Sequence, residues 1–208
     1  MKNQSLLVAA LLVSFSFVVP ASAQMLLRAE TAASQAQIGR DAEGYSTCGI
    51  RTTAFVALDK GNAEIYDFSL NVYRDHFFGM LKAGKTFATA KQVLNQDLSA
   101  KAVTPRPIRF WISAANDDKP LISTKVTDSE TKGYMIAGGD FVLTFQNIYA
   151  VMYGEQMQFV TRYAKEKLDV VISFKAPLPK DEQDALVSCL DGIRKRLEDS
   201  IKDEVISQ

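Results

Sequence analysis

The chain has 208 residues, with 24 Lys and Arg against 24 Asp and Glu, and 47% of its residues are apolar. That length fits one domain with a core of its own, and a formal net charge of zero removes the electrostatic case for nucleic acid. One histidine and two cysteines leave no case for a zinc site of the usual ligand types.

Residues 1–23 have the layout of a cleaved secretory signal peptide. Lys2 precedes an unbroken apolar run from Leu6 to Val13, extended by Phe15, Phe17, Val18 and Val19, and Pro20 breaks it before Ala21-Ser22-Ala23. Cleavage after Ala23 makes Gln24 the new N-terminus. The run is shorter than the roughly 20 residues that span a bilayer, so no membrane span is expected after cleavage, and the expected location is periplasmic or secreted. No cysteine follows the small residues, which argues against a lipid anchor. The chain beyond Ala23 has no Asn-x-Ser/Thr acceptor, which leans towards a bacterial envelope protein.

Residues 24–45 are small and polar, with Ala29, Ala32, Ala33, Gln35 and Gln37, and read as a flexible or short helical N-terminal segment. A single β-rich domain over 46–208 follows. Cys48, Ile50, Thr52, Ala54, Val56 and Leu58 alternate with Gly49, Arg51, Thr53, Phe55 and Ala57. After the turn Asp59-Lys60-Gly61-Asn62, Tyr66, Phe68, Leu70 and Val72 alternate with Asp67, Ser69 and Asn71. The pair predicts an antiparallel hairpin.

His76 to Ala90 has no clear period, and Lys91 to Ala102 has moderate helical spacing, stopped by Thr104-Pro105-Arg106-Pro107. Strands are predicted from Ile108 to Ala114 and from Leu121 to Val126. Tyr134 to Ala137 and Phe141 to Phe145 read as strands around a reversal at Gly138-Gly139-Asp140. Gly154-Glu155 then separates two further strands, and Leu168 to Phe174 alternates again. Pro177 and Pro179 end the sheet, Asp181 can cap a helix, and Leu186, Cys189, Leu190, Ile193, Leu197 and Ile201 recur at helical spacing. The predicted fold is α+β: a mainly antiparallel sheet or sandwich from about Ser46 to Lys175, with an amphipathic helix from Asp181 to Ile201 packed on it. In an oxidising compartment Cys48 and Cys189 most simply form one disulfide.

Four groups of residues invite a chemical reading. Gly79 to Thr86 fits the phosphate-cradling pattern, in which Gly79 and Gly84 shape the loop, Lys85 reaches the phosphates and Thr86 ligates magnesium. A buried strand should enter that loop and a helix should leave it, whereas Arg74-Asp75-His76 stands upstream. The alternative is a glycine-containing turn within a strand pair that exposes Lys82 and Lys85, and no cofactor is expected. His76, beside Asp75 and with Asp67 as a possible neighbour, is the candidate for general-base catalysis, although nothing marks the nucleophile it would serve. Asp117, Asp118, Asp128 and Glu130 offer oxygens without the spacing of a calcium loop, so no metal is expected. Phe77, Phe78, Trp111, Tyr149, Tyr153 and Tyr163 are candidates to line an apolar groove.

The functional expectation is a non-catalytic exported binding or envelope-assembly factor, whose partner is an envelope protein or a small apolar ligand. A secreted hydrolase using His76 is the alternative from another class, and nucleotide binding through Gly79–Thr86 a remote one.

Overall fold

The computed structural model describes residues 24–75, 77–94, 106–114, 121–122, 125–164 and 166–206. The strands are β1 (Gln24–Arg28), β2 (Thr31–Asp41), β3 (Gly44–Ala57), β4 (Ala63–Tyr73), β5 (Phe78–Ala88), β6 (Pro107–Ala114), β7 (Leu121–Ile122), β8 (Val126–Asp128), β9 (Met135–Gly139), β10 (Met157–Tyr163) and β11 (Asp169–Phe174). The helices are α1 (Ala90–Leu94), α2 (Phe141–Met152) and α3 (Lys180–Ile206). A large sheet runs β2-β3-β4-β5-β9-β8 and a small one β1-β11-β10-β6-β7. The pairing is antiparallel apart from β1 with β11, so the fold is α+β with its C-terminal helix on the sheet.

The hairpin legible in the sequence is β3–β4, paired from Thr47 with Tyr73 to Ala57 with Ala63. Its turn closes with Leu58 N–H donating to the Asn62 carbonyl at 2.8 Å. One face of it carries Cys48, Ile50, Ala54, Val56, Tyr66, Phe68, Leu70 and Val72 into the core. There the sheets meet: Phe68 stacks on Phe159 at 4.4 Å and meets Phe174 edge-on at 5.1 Å. Burying such a ring contributes on the order of 1.5–3 kcal/mol, and each ring pair about 0.5–1.5 kcal/mol more.

Four stretches differ from their sequence reading. Residues 24–45 form β1, β2 and the start of β3 rather than a mobile or helical segment. Ala32 and Ala36 of β2 pack on the core, so a strand of low intrinsic propensity is held by its tertiary contacts. Phe141 to Phe145 opens a helix: the Asp140 carboxylate accepts the Leu143 N–H at 2.8 Å, and Thr144, Asn147, Ile148 and Val151 are buried at helical spacing. Gly138 and Gly139 therefore end β9 without a reversal, and Gly154 separates a helix from a strand, not two strands. Leu121 to Val126 divides between β7 of the small sheet and β8 of the large one. The helix expected from Lys91 begins at Ala90 and is described to Leu94, and the rest of it lies outside the described residues.

Cys48 of β3 and Cys189 of α3 form a disulfide with Cα atoms 5.8 Å apart, both fully buried. Leu186, Leu190 and Ile193 bury the helix stripe around it, and the Glu182 carboxylate accepts the Ala36 N–H of β2 at 2.6 Å. Helix α3 begins at Lys180, so Asp181 lies in its first turn, where a carboxylate favours the helix dipole. No helix among the described residues is long and apolar enough to cross a membrane.

The bridge closes a separation of 141 residues, which the chain-entropy model values at about 3–5 kcal/mol. Cys189→Ser should therefore lower the melting temperature, and limited proteolysis should cut α3 free before it attacks the sheets. Equal protease resistance of α3 in the variant and the parent would show that its apolar stripe holds it unaided.

Candidate functional site

Gly79 to Thr86 make neither a loop nor a turn: they run through the middle of β5, paired to β4 throughout and, from Gly79 to Ala83, to β9 on the other side. The pattern's two glycines serve close approach. A Cβ on Gly79 would stand 1.9 Å from Thr144 Oγ1, so its absence lets α2 settle on the inner face, and a Cβ on Gly84 would stand 2.7 Å from the Tyr134 ring on the outer face. Lys85 turns inward, its Nζ donating to Glu64 Oε1 at 2.7 Å and lying over the rings of Tyr66 and Tyr163. Lys82 turns outward and donates to Thr131 Oγ1 at 3.0 Å. Lys85 is thus paired with a carboxylate, and neither lysine stands in a phosphate-cradling loop.

His76 lies outside the described residues. Its sequence neighbour Asp75 pairs with Arg74 at 3.0 Å, while Asp67 sits mid-strand in β4, opposite Gly84. Asp117 and Asp118 also lie outside the described residues. Asp128 pairs with Arg106 at 2.6 Å, and the described residues contain no cluster of three or more metal-ligating side chains.

The six aromatic candidates go to different places. Phe77 begins a ladder along α2, through Phe141, Phe145, Tyr149 and Tyr153, with centroids 5.3 to 6.1 Å apart. Phe78 stacks on Tyr73 at 4.8 Å. Trp111 carries Arg109 over its ring, on the face of the small sheet opposite Phe110 and Ile112, and Tyr163 is buried in the core.

A site the sequence did not mark lies on the outer face of the large sheet, turned away from the small sheet, α2 and α3. Period two puts Asp67, Ser69, Asn71 and Tyr73 of β4 on that face, with Gly39 and Gln37 of β2, Thr47 and Arg51 of β3, and Met80 and Lys82 of β5 beside them by register. Asp67, Ser69 and Asn71 are only 6–7% exposed. They are the floor of a trough walled by longer side chains from the flanking strands. Two adjoining cavities fill it. One, about 180 Å³, is lined by Gln37, Arg51, Asp67, Ser69, Lys82 and Tyr134. The other, about 360 Å³ and more open, shares Gln37, Ser69 and Lys82 and reaches Ile38, Tyr73 and Met80.

The polar floor is internally bonded. Arg51 grips Asp67 with Nε at 2.9 Å and Nη2 at 2.5 Å, and Tyr134 O–H donates to Asp67 Oδ2 at 2.8 Å. The hydrogen bond to Asp67 holds the Arg51 guanidinium above its ordinary range. Burial first, and then the Asp67 charge, keeps the Tyr134 phenol protonated well above its ordinary range. Asn71 Nδ2 donates to Ser69 Oγ at 3.3 Å. Such satisfaction is what lets polar groups sit away from water in a central strand. The signal was present in the sequence as a polar face on β4, which alone does not separate a solvated face from a sheltered one.

Comparison with protein-family models, curated proteins and solved structures finds no match. Fold and site alone define the class: a two-sheet α+β domain, fastened by one disulfide, with a polar trough on its open sheet face.

Burial raises the phenols of Tyr66, Tyr134 and Tyr163 above the ordinary value of 10.0, so the folded state holds these protons more tightly than the unfolded chain. Their contribution to stability is complete below about pH 10 and is lost as pH rises through the folded values. Alkaline titration of tyrosinate absorbance should leave these three unionised until the protein unfolds, and their full ionisation in the native state would refute the burial argument. Gly84→Val should displace Tyr134 from β5 and release its phenol to titrate at a lower pH, with a loss of about 1–3 kcal/mol in stability from the forced contact.

Proposed function

We propose that this protein is exported to the cell envelope and acts there as a non-catalytic binding protein, with the trough on the large sheet as its ligand face. Two features support export. Residues 1–23 have the signal-peptide layout, and a buried disulfide fits an oxidising compartment.

The observation that carries the binding reading is the sheltered polar floor of Asp67, Ser69 and Asn71 on a sheet face that α2, α3 and the small sheet leave open. A central strand that needed only stability would be served by apolar or β-branched residues there. Polar groups fixed by neighbours and aimed into a concavity form a preorganised recognition surface instead. The geometry favours binding over catalysis. Both Asp67 oxygens already accept donors, which makes the carboxylate a fixed acceptor instead of a free base. The described partner of the Ser69 hydroxyl is the Asn71 amide, which takes no proton.

Two measurements test this. N-terminal sequencing of protein from the exporting cell should begin at Gln24, and an intact Met1 in a cytoplasmic fraction would overturn export. Amide-shift mapping of the mature protein against a panel of sugars, amino acids, peptides and organic acids should give hits confined to the outer-face positions of β3, β4 and β5. A panel without one such hit, or hits centred elsewhere, would overturn the assignment of the trough.

A further inference from the structure

Resting on the reading of the trough as a ligand face, we propose that its ligand is an organic carboxylate with a weakly polar, extended body. The carboxyl group lies between Lys82 and the open edge of Arg51, and the body runs along β4 over Ser69 and Asn71 towards Tyr73 and Met80.

The charge inventory sets the head group. Arg51 and Asp67 of the trough neutralise each other as an ion pair. The described contacts of Lys82 are the Thr131 hydroxyl at 3.0 Å and the Tyr134 ring at 5.4 Å, and no described carboxylate lies within 4.0 Å of its ammonium. The other residues that line the two cavities carry no formal charge at neutral pH. The trough therefore presents one uncompensated positive charge. A phosphate monoester, at close to two negative charges, would bring excess charge, whereas a single carboxylate matches it.

The donor count agrees. The guanidinium has five N–H bonds and the ammonium three; Asp67 takes two of the former, Tyr134 lies against the same guanidinium, and Thr131 takes one of the latter. The Ser69 hydroxyl accepts from Asn71 and keeps its own proton to donate, while the one carboxylate of the lining already receives three. A surface with spare donors and an engaged acceptor selects an acceptor-rich ligand, and an arginine edge beside a lysine suits a carboxylate.

The register sets the body. Lys82 stands opposite Ser69, Met80 opposite Asn71 and Phe78 opposite Tyr73. At about 3.4 Å per residue, the trough changes over roughly 14 Å from its charged end to its aromatic end. Tyr73 stacks on Phe78 there, and Met80 completes the less polar wall. A fatty acid of medium length and the C-terminal stretch of a peptide share this chemistry.

The test titrates labelled mature protein with four probes: octanoate, octanamide, N-acetyl-trialanine and its C-terminal amide. The two acids should move the amides of Arg51, Ser69, Asn71, Met80 and Lys82, and each neutral amide should bind about tenfold or more weaker, the factor expected when a charged hydrogen-bonded pair is lost. Lys82→Gln should weaken acid binding by a similar factor and Lys82→Arg should retain it, while Lys175→Gln, remote from the trough, should leave it unchanged. Octanoate binding better than the peptide acid assigns an acyl body, and the reverse assigns a peptide terminus. Equal affinity of acids and amides, or indifference to Lys82→Gln, overturns the carboxylate. If all four probes fail while a sugar or amino acid from the wider panel shifts the same amides, the carboxylate falls and the trough stands. If nothing shifts them, both fall.

Discussion

Strand β4 must be satisfied on both faces at once, and much of the molecule follows from that constraint. Tyr66, Phe68, Leu70 and Val72 face inward and need apolar cover, while Asp67, Ser69 and Asn71 face outward and, sheltered from water, need hydrogen-bond partners. The inward demand is met by the small sheet through Phe159 and Phe174 and by α2. The outward demand is met by Arg51 from β3 and by Tyr134, which the β8–β9 connection lays across Gly84. Removing the partner of a buried carboxylate costs several kcal/mol, more than the intact pair contributes. The network is thus a condition of keeping a polar floor rather than a net source of stability.

The inner face has a second need, cover for its β2–β3 side, and α3 supplies it. The helix stripe of Leu186, Cys189, Leu190 and Ile193 lies where Ala36, Cys48 and Ile50 leave room. The small side chains of Ala32 and Ala36 permit the approach, which explains the alanines on the inner face of β2. The Glu182 bond to the Ala36 amide fixes the helix start against that same edge. Two distant parts of the chain are thereby held in register by packing, a hydrogen bond and a covalent link together.

What the sequence disclosed follows from how local the cause was. The β3–β4 hairpin was legible because both strands alternate cleanly around a turn rich in Asp, Gly and Asn, and α3 because its stripe recurs at helical spacing over several turns. Helix α2 reads as strand because Phe141, Val142, Phe145, Ile148 and Tyr149 are strand-favouring residues in a nearly continuous apolar run. Its helical signal is the fourfold spacing of Phe141, Phe145, Tyr149 and Tyr153, with Asp140 as a cap. Residues 24–45 offered less, since β1 lies parallel to β11 across nearly the whole chain and no local pattern encodes that partner. The trough needed the same long-range knowledge: Asp67, Ser69 and Asn71 were visible as a polar face, but their shelter comes from Gln37, Arg51, Lys82 and Tyr134, which only the sheet order brings together. Likewise Gly79 and Gly84 resembled a phosphate loop because glycine marks close approach, and sequence does not say whether the approaching group is a phosphate, a threonine or a tyrosine.

The division of labour between the two faces of the large sheet bears on why the proposed ligand face would sit there. A site built on a central strand has its floor fixed by backbone ladders on both sides, so little ordering entropy remains to be lost when a ligand arrives. The disulfide and the ring stack stabilise the inner face without using any outer-face residue. Outer positions such as Gln37, Lys82 and Met80 are therefore free to be set by recognition rather than by packing. The aromatic ladder of α2 lacks this independence, because the same helix buries Thr144, Asn147, Ile148 and Val151 against the core. Changes to its ladder rings, of which Phe141, Phe145 and Tyr149 themselves pack on the core, act on an element whose position the fold already requires, whereas the trough can vary at its walls while β4 keeps its place between β3 and β5.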